Sequence, residues 1–374
     1  MMSKTPRAIV SVTNDLYTDN RVNKVCMFLV EQGYDVLLVG RKRKSSVSLD
    51  QRPYKTKRFN LRFETGAKFY AFFNLRLCLF LIFKRADLLV SNDLDTLLAN
   101  YMASKLKPKC KLVYDSHEYF TEVPELINRP KVQKLWLSIE HYIFPKLKTV
   151  YTVNQSIADI YRKKYNTNVK VVRNISKRWN PKTILNKSEL GIPEDKNLII
   201  LQGAGINVDR GAEEALEAMV HLDAVLMIVG DGDVVAQLKV SVLELELSKK
   251  VLFYGKKPYH IMMNYTHFAD IGLTLDKPSN LNYQLSLPNK VFDYMHTQTA
   301  VVATDIKEVS AVIKKHTIGE VLTEFTPETL AKKLANLFEN PSLLNRYKDN
   351  CKIAANIENW ETETEILKTI YPHV

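Results

Sequence analysis

Residues 197–222 have the sequence NLIILQGAGINVDRGAEEALEAMVHL, in which an apolar run, a loop with several glycines and an amphipathic stretch follow one another directly. The apolar run predicts a short buried strand at 197–202, and the amphipathic stretch predicts a helix near 210–222. A strand without polar alternation that leads at once into a helix is typical of a parallel sheet covered on both faces. The stretch therefore predicts one βα unit of an open α/β sheet.

The same order of strand and helix recurs on both sides of this unit. Strands are predicted at 7–13, 35–40, 87–92, 111–115 and 149–153, and again at 197–202, 224–229, 250–254, 270–275 and 300–304. Helices are predicted at 20–33, 67–85, 94–106 and 133–147, then near 210–222, 233–247, 259–268, 288–297 and 306–316, and in most of 326–374. This alternation predicts an α/β fold of two doubly wound Rossmann-like domains that face each other across a cleft.

The predicted boundaries follow from a change in composition between the two series. Residues 177–195 contain Pro181, Pro193 and many polar side chains, which is typical of a linker. We therefore predict one domain at 1–176, a linker at 177–195 and a second domain at 196–350. A helix at 351–374 is expected to pack back on the first domain.

Charge is distributed unevenly between the two halves. Residues 1–180 contain 33 Lys and Arg against 15 Asp and Glu, a net charge of +18, whereas the whole chain of 374 residues carries +12. A basic half indicates an anionic partner, which could be a phosphate-bearing substrate, a membrane surface or a nucleic acid. We do not expect a nucleic-acid partner, because the basic residues are scattered over several elements and no nucleic-acid-binding motif is present.

Cysteine usage and the N-terminal residues bear on the cellular compartment. The four cysteines are widely spaced, so neither a disulfide framework nor a CxxC metal site is expected. Residues 1–15 lead directly into a predicted strand without the apolar core of a signal peptide. We expect a cytoplasmic protein with peripheral contact at the inner face of the cytoplasmic membrane.

Three loops of the second domain follow predicted strands or open helices, where open α/β sheets bind ligands. The first contains Gly203, Gly205, Arg210 and Gly211, and the second contains Gly230 and Gly232. Glycines permit close approach to a phosphate, and arginine adds a positive charge, although the same residues occur in ordinary strand-to-helix turns.

The third loop, at residues 284–290, leads into the helix predicted from Pro288. Asn289 and Lys290 lie where a helix dipole favours an anion. Asp293 follows Lys290 by three residues, so the two side chains are expected on one helix face. They could bind a ligand together or form only a weak surface ion pair.

Three polar loops follow predicted strands of the first domain. They contain Asp15, Asp19 and Arg21, then Asp93, and then His117 and Glu118. These side chains are expected on the acceptor side of a substrate site, although Asp93 could instead cap a helix and His117 could be a structural hydrogen-bonding group.

The segment 69–83 is strongly apolar but too short to span a bilayer with Asn74 and Arg76 inside it. It could be a buried helix, or a helix that lies in the membrane interface. The basic runs 41–44 and 55–58 favour contact with anionic lipid.

Taken together, these motifs resemble the group 1 glycosyltransferases, which are two-domain GT-B enzymes that retain the anomeric configuration of the donor sugar. The resemblance covers nearly the whole chain. It is strongest in segments 13–22, 91–99, 112–126, 205–219, 228–232 and 286–295. It is similar to the bacterial branch that builds cell-surface polysaccharides.

The resemblance implies roles for individual residues. Arg210 and Lys290 would contact the donor diphosphate, and Asp293 would hold the donor ribose at the position of the second glutamate of the family's EX7E motif. His117 matches a histidine that lies beside the donor sugar. Leu285 stands where the family has the first glutamate, and Gln298 and Ala300 stand where it usually has glycine and proline. The resemblance therefore supports diphosphate binding more strongly than sugar contact.

The expected function is transfer of a sugar from a UDP- or GDP-linked donor to a saccharide or lipid-linked acceptor. We expect no cofactor and no essential metal, since no DxD-type motif stands out in the second domain. Two alternatives stay open because Leu285 replaces an acid: a non-catalytic protein that binds nucleotide sugars, and a GT-B sugar-nucleotide epimerase.

Overall fold

The computed structural model describes residues 5–17 and 19–371, and these residues form two compact units. Unit 1 consists of residues up to Asn174 together with the residues from Thr364 onward, and unit 2 consists of Ile175–Glu363. The predicted linker 177–195 thus lies within unit 2, where it contains a short helix, Lys187–Leu190. The predicted C-terminal segment 351–374 is divided between the two units.

Unit 1 contains a seven-stranded sheet in the order β3-β2-β1-β4-β5-β6-β7, and every neighbouring pair is parallel. The strands are β1 (Arg7–Ser11), β2 (Asp35–Lys42), β3 (Lys55–Asn60), β4 (Leu88–Asn92), β5 (Lys111–Ser116), β6 (Val150–Thr152) and β7 (Val169–Val171). The helices are α1 (Asn20–Glu31), α2 (Gly66–Phe83), α3 (Leu94–Lys105), α4 (Pro124–Ile127), α5 (Pro130–Ile143) and α6 (Gln155–Tyr165).

Unit 2 contains a six-stranded parallel sheet in the order β10-β9-β8-β11-β12-β13. Its strands are β8 (Leu198–Gly203), β9 (Val225–Gly230), β10 (Val251–Phe253), β11 (Ile271–Thr274), β12 (Ala300–Thr304) and β13 (Gly319–Leu322). Its helices are α7 (Lys187–Leu190), α8 (Ala212–Ala218), α9 (Val235–Glu244), α10 (Tyr259–Phe268), α11 (Leu281–Gln284), α12 (Lys290–His296), α13 (Lys307–His316), α14 (Pro327–Glu339) and α15 (Pro341–Ala354), and α16 (Trp360–Ile370) continues into unit 1.

The prediction of two doubly wound parallel α/β domains is confirmed. Each sheet has a point where the strand order reverses, between β1 and β4 in unit 1 and between β8 and β11 in unit 2. Loops at the carboxyl ends of the two strands diverge at such a point and leave a crevice, which is where open α/β sheets bind ligands. The loops 12–15 and 92–93 reach this point in unit 1, and the loops 203–211 and 275–277 reach it in unit 2.

The core of unit 2 lies on both faces of its sheet, which explains why its strands are almost uniformly apolar. Ile199, Leu201 and Leu226 pack on one face, and Ile200, Val225 and Met227 pack on the other. In unit 1 the last described residue, Tyr371, is buried; its hydroxyl lies 2.9 Å from that of Tyr151.

Helix α2 is apolar on all sides but is only partly buried. Phe69, Phe73, Leu77 and Leu81 face the core of unit 1. Among the described residues, α2 is the one helix that is long and apolar enough to cross a membrane. Only 22% of its residues are buried, whereas a core helix of this composition would be mostly buried.

Candidate functional site

The switch point of unit 2 brings together the side chains of Arg210 and Asp276. Arg210 lies at the end of the loop after β8, and Asp276 lies two residues beyond β11. Arg210 Nη1 donates a 2.7 Å hydrogen bond to Asp276 Oδ2, and the Asp276 side chain is almost fully buried. The ion pair therefore lies at the carboxyl edge of this sheet, beyond the two neighbouring central strands β8 and β11.

This ion pair leaves hydrogen-bonding groups unused. Arg210 Nε and Asp276 Oδ1 are both buried and have no hydrogen-bond partner among the described residues. The guanidinium also lies 4.2 Å from the ring centroid of Tyr283, which holds it in one orientation by a cation–π contact. A buried polar atom without a partner costs free energy, so these atoms indicate a site that a polar ligand completes.

Lys290 is the second cation at this edge. Its side chain is half-buried and forms no hydrogen bond or ion pair with any residue that the structure describes. Burial lowers the pKa of Lys290, and the nearby positive charge of Arg210 lowers it further, while Asp276 raises it. Binding an anion would relieve the cost of two neighbouring cations, so this group of residues is suited to a phosphate.

Asp293 lies in different surroundings from Lys290, although both are on α12. Asp293 is 4% exposed, and its Oδ1 accepts hydrogen bonds from Ser176 Oγ (2.6 Å) and Tyr259 Oη (2.7 Å). Its Oδ2 accepts a bond of 3.1 Å from Gln202 Nε2. The partners of Asp293 thus differ from the neighbours of Lys290, which are Arg210 and Asp276. The shared helix face and the ribose contact of Asp293 stay predictions.

The glycine loops have a structural role that their sequence did not reveal. A Cβ on Gly230 would lie 1.8 Å from the carbonyl oxygen of Gly203, and one on Gly232 would lie 2.2 Å from that of Ile206. Asp231 N donates to Gly203 O, and Ile206 N donates to Asp231 O, so the two loops are joined directly. Glycine is thus required at 230 and 232 because the two loops pack against each other.

Other residues of these loops differ in their surroundings. Gly211 packs against Leu275 with a positive φ of 72°, whereas Gly205 has no close neighbour except Asn207. The first turn of α8 carries Glu213 and Glu214. These two acids oppose an anion at the N-terminus of α8, so cationic side chains have to supply the attraction, and phosphate binding at this loop stays a prediction. Asn289 precedes α12 without capping it through its side chain.

In unit 1, a chain of charged groups extends from α1 across the ends of β5 and β4. Arg21, which is 3% exposed, donates from Nη2 to Asp115 Oδ1 at 2.7 Å and from Nη1 to the carbonyl oxygen of Val172. His117 Nε2 lies 3.3 Å from Asp115 Oδ2, and His117 Nδ1 lies 3.2 Å from Asp93 Oδ2. The group is therefore Arg21–Asp115–His117–Asp93.

Burial and neighbouring charges shift the pKa values of the residues in this charged group. Burial opposes the charged form of Asp115, but Arg21 and His117 lower its pKa to about 2. Burial likewise opposes the imidazolium of His117, but Asp93 and Asp115 raise its pKa to about 9. Burial raises the pKa of Asp95, on the next helix, to about 7.

The remaining acceptor-side candidates are arranged around these groups. Asp19 caps α1 by accepting from Val22 N, and Asp15 accepts from Ser46 Oγ at 2.7 Å. Glu118 follows His117 and acts electrostatically on Asp93. Arg21 points into the interior of unit 1, so its visible role is to hold Asp115. For all of these residues an acceptor contact stays a prediction.

Two family models together match most of the chain. Residues 183–353 match the model described as "Glycosyl transferases group 1", and residues 20–175 match the one described as "Glycosyltransferase Family 4". The chain carries a group 1 glycosyltransferase domain. It is thus a glycosyltransferase, and Arg210, Asp276 and Lys290 all lie inside the group 1 domain.

Solved structures share the whole fold at low identity. Sucrose-phosphate synthase from Thermosynechococcus elongatus superposes with a TM-score of 0.80 at 15% identity over 98% of both chains. WaaG, a glycosyltransferase involved in lipopolysaccharide biosynthesis, gives a TM-score of 0.72 at 15% identity over 97% of this chain and 99% of its own. Anabaena HepE in complex with UDP-glucose gives 0.71 at 14% identity over the same shares. No curated protein sequence matches this chain.

The sequence of this glycosyltransferase did not single out Asp276, Asp115 or Tyr283. Asp276 and Asp115 occur at the ends of apolar strands, the same signal that pointed to Asp93, so the first two could have been found. Tyr283 carried no signal, because its role depends on where the loop 275–289 places the ring. No cluster of three or more His, Cys, Asp or Glu suited to a metal ion occurs within residues 5–17 and 19–371.

Proposed function

We propose that this protein transfers a sugar from a nucleoside-diphosphate sugar, UDP- or GDP-linked, to a saccharide or lipid-linked acceptor during synthesis of a cell-surface polysaccharide. The observation that carries the proposal is the pair of cations Arg210 and Lys290 beside Asp276, at the switch point of a group 1 glycosyltransferase domain. Binding of UDP-glucose by HepE supports a nucleotide-sugar donor. The role of WaaG in lipopolysaccharide biosynthesis supports the surface pathway.

The chemistry requires that the leaving diphosphate be stabilised as its bond to the sugar breaks. Lys290 and Arg210 Nε have no hydrogen-bond partner within residues 5–17 and 19–371, so both can donate to diphosphate oxygens. Such donors stabilise developing charge most in a water-poor site. Transfer with retention would let the departing phosphate accept the acceptor's proton. No enzymatic base is then needed, and neither a cofactor nor a metal ion is part of the proposal.

The test is a transfer assay over a panel of nucleotide sugars with an extract of the native acceptor. Arg210→Ala and Lys290→Ala are expected to weaken donor binding and transfer by about 10- to 100-fold each, since a charge-assisted hydrogen bond contributes about 1.5–3 kcal/mol. Lys332→Ala, an exposed lysine of α14, is the matched control. Unchanged activity in both site variants would show that the diphosphate binds elsewhere.

Leu285 favours a second candidate function. It is buried at the position where an acid would contact the sugar hydroxyls, so sugar recognition has to differ or be absent. A protein that only binds nucleotide sugars would bind the donor without any transfer, and an epimerase would change the donor without an acceptor. Measuring donor binding, donor conversion and product formation in one reaction separates these outcomes.

We further propose peripheral contact with an anionic membrane, which would bring the enzyme to a lipid-linked acceptor at the inner face of the cytoplasmic membrane. Helix α2 exposes a row of large apolar side chains at helical spacing: Phe72 (53% exposed), Leu75 (59%), Leu79 (50%) and Phe83 (83%). Leu98, Met102 and Leu106 continue the exposed row on and just after α3. Patches of this kind on a soluble domain mark interaction surfaces.

Charge around this surface favours lipid over a protein partner. The acids of α2, α3 and α5 are Asp95 and Glu140, and both are buried. Exposed cations lie on or beside the same helices, namely Lys68, Arg76, Lys84, Lys105, Lys131, Lys134 and Lys146. A groove of about 390 Å³, lined in part by Ile82, Met102 and Leu106, joins α2 and α3. An apolar surface with a mainly cationic rim is suited to acyl chains beneath anionic headgroups.

Vesicle sedimentation tests this contact. Wild type should bind vesicles that contain phosphatidylglycerol and should not bind vesicles of phosphatidylcholine alone. Leu79→Ser and Phe83→Ser are expected to lower binding, whereas Leu243→Ser, which alters a 70%-exposed leucine of α9 in unit 2, should not. Equal binding of all variants would exclude α2 as the contact, and binding that ignores lipid charge would exclude the cationic rim.

A further inference from the structure

Both ring nitrogens of His117 lie against side-chain oxygen atoms, from two carboxyl groups and one amide. Nδ1 is 3.2 Å from Asp93 Oδ2, while Nε2 is 3.3 Å from Asp115 Oδ2 and 3.1 Å from Asn92 Oδ1. The orientation of the Asn92 amide is fixed, because its Nδ2 donates to the carbonyl oxygen of Ser11. A neutral imidazole has one nitrogen with a lone pair, and here that lone pair would face an amide oxygen or a carboxyl oxygen. Asp93, whose pKa burial raises to about 8, is the one of these partners that could carry a proton toward the ring, and the ring state measured below distinguishes the two arrangements.

Asp93 holds this histidine at two places. Its Oδ1 accepts from the backbone N–H of His117 at 2.8 Å, and its Oδ2 faces the ring. Asp93 itself has a φ of +57°, which is costly for a residue with a side chain, and its backbone N–H donates to Asp115 O. Asp93 thus has a strained backbone conformation and contacts both the backbone N–H and the ring of His117. Strain of this kind is typical of functional sites.

We propose that Asp93 is the positioning residue that holds His117 as a doubly protonated imidazolium, so that His117 takes part in transfer as a fixed cation and never as a base. The charge of the ring is matched on its other side by Asp115, which Arg21 holds in turn. His117 remains 18% exposed at the switch point of unit 1, so one edge of the charged ring is accessible. The inference rests on the proposed function only for the effect on transfer, because the protonation of the ring is a property of unit 1 itself.

The other charged groups near the ring have the same effect or are already bound. Asp95, on α3, accepts from Thr13 Oγ1 at 2.5 Å, and Glu118 follows His117 in the chain. Glu118 adds negative potential, as does Asp95 once pH exceeds its raised pKa of about 7, and this potential favours the imidazolium. Arg21 opposes it, but both nitrogens of its fork that face Asp115 are bound by that carboxylate.

A base and a fixed cation differ in how rate depends on pH. A base works only when deprotonated, so transfer would rise as pH increases through its pKa. A fixed cation gives a rate that is flat across neutral pH and falls only when the ring loses its proton, well above the ordinary pKa of histidine. In Asp93→Asn the His117 ring loses one neighbouring carboxylate. The pKa of the ring should therefore fall, so that the imidazolium loses its proton at lower pH.

Nitrogen-15 NMR of the histidine rings tests the ring state in the full chain without any donor. His117, assigned by its absence in His117→Gln, is expected to show two protonated nitrogens from about pH 6 to pH 8. In Asp93→Asn the ring should become neutral within that range, whereas in Asp95→Asn it should stay charged. A neutral His117 ring in wild type at neutral pH would overturn the proposal.

The pH profile of transfer is the second measurement. The Asp93→Asn enzyme should match wild type most closely near pH 6 and lose activity toward pH 8, with the loss mainly in kcat. A loss that is constant over pH would mean that Asp93 is merely structural and would also overturn the proposal. If wild type transfers nothing while the NMR result holds, the proposed function fails and the ring assignment stands.

Discussion

Lys290 and Asp293 are three residues apart on one short helix, yet Lys290 is unpaired among the described residues at the sheet edge, and Asp293 is bonded inside unit 2. The difference arises because Asp293 faces Gln202 of β8, Tyr259 of α10 and Ser176, which leads into the unit. One side chain is therefore suited to a ligand and the other to stability.

Asp293→Ala is expected to destabilise unit 2 by about 3–5 kcal/mol, because three donors lose a buried carboxylate acceptor. Chemical denaturation followed by the fluorescence of Trp179 and Trp360, both in unit 2, would measure the loss. Ser176→Ala removes only one of the donors and should cost about 1 kcal/mol. If Asp293→Ala keeps full stability and loses only donor affinity, the carboxylate acts as a ligand contact.

Lys290→Met should have the opposite effect: it should lower donor affinity and leave stability unchanged. The methionine fills similar space without a charge to desolvate, so unfolding free energy should be unchanged or slightly higher. Donor affinity should fall by about 10- to 100-fold with loss of one charge-assisted contact. Calorimetric titration with UDP and GDP, alongside thermal unfolding of the same sample, checks both halves. A stability loss as large as that of Asp293→Ala would place Lys290 among the structural residues.

The sequence predicted the alternation of strands and helices correctly because fully buried parallel strands are continuous apolar runs. It missed β3, whose sequence KTKRFN is charged, since an edge strand has fewer neighbours and commonly carries lysine. It also did not predict the ion pair of Arg21 with Asp115. The direction of a long side chain after a helix N-terminus depends on its partner, and that partner, Asp115, lies 94 residues away in the chain.

The glycine loops permit a matched test of packing against backbone strain. Gly230→Ala should unfold unit 2 or cost more than about 3 kcal/mol, because its Cβ would overlap the carbonyl of Gly203. Gly203→Ala has nearly the same φ, 152° against 154°, but its Cβ would meet only Gly205 N at 3.9 Å, so it should cost only about 1–3 kcal/mol. Equal costs measured by urea denaturation would mean that conformation, not the contact between loops, explains Gly230.

The raised pKa of His117 makes a signed prediction for the stability of unit 1. A group whose pKa is higher in the folded state stabilises fully below its unfolded value of about 6.5, and this contribution is lost as pH rises to about 9. The lowered pKa of Asp115 acts in the opposite direction: its contribution is present above the unfolded value of about 3.8 and is lost as pH falls toward about 2.

Burial raises the pKa of Asp95 to about 7 and that of Asp93 to about 8, so the contribution of these two carboxyls to stability also falls as pH rises above about 3.8. Unit 1 should therefore be most stable near pH 4 and should lose stability progressively toward pH 9. Hydrogen exchange of the β5 amides, corrected for the intrinsic rate at each pH, measures this for unit 1 alone. His117→Gln removes the titrating ring and should reduce the fall in stability between about pH 6.5 and pH 9 while leaving the acid limb in place. An alkaline limb that persists unchanged in His117→Gln would mean that another group titrates there.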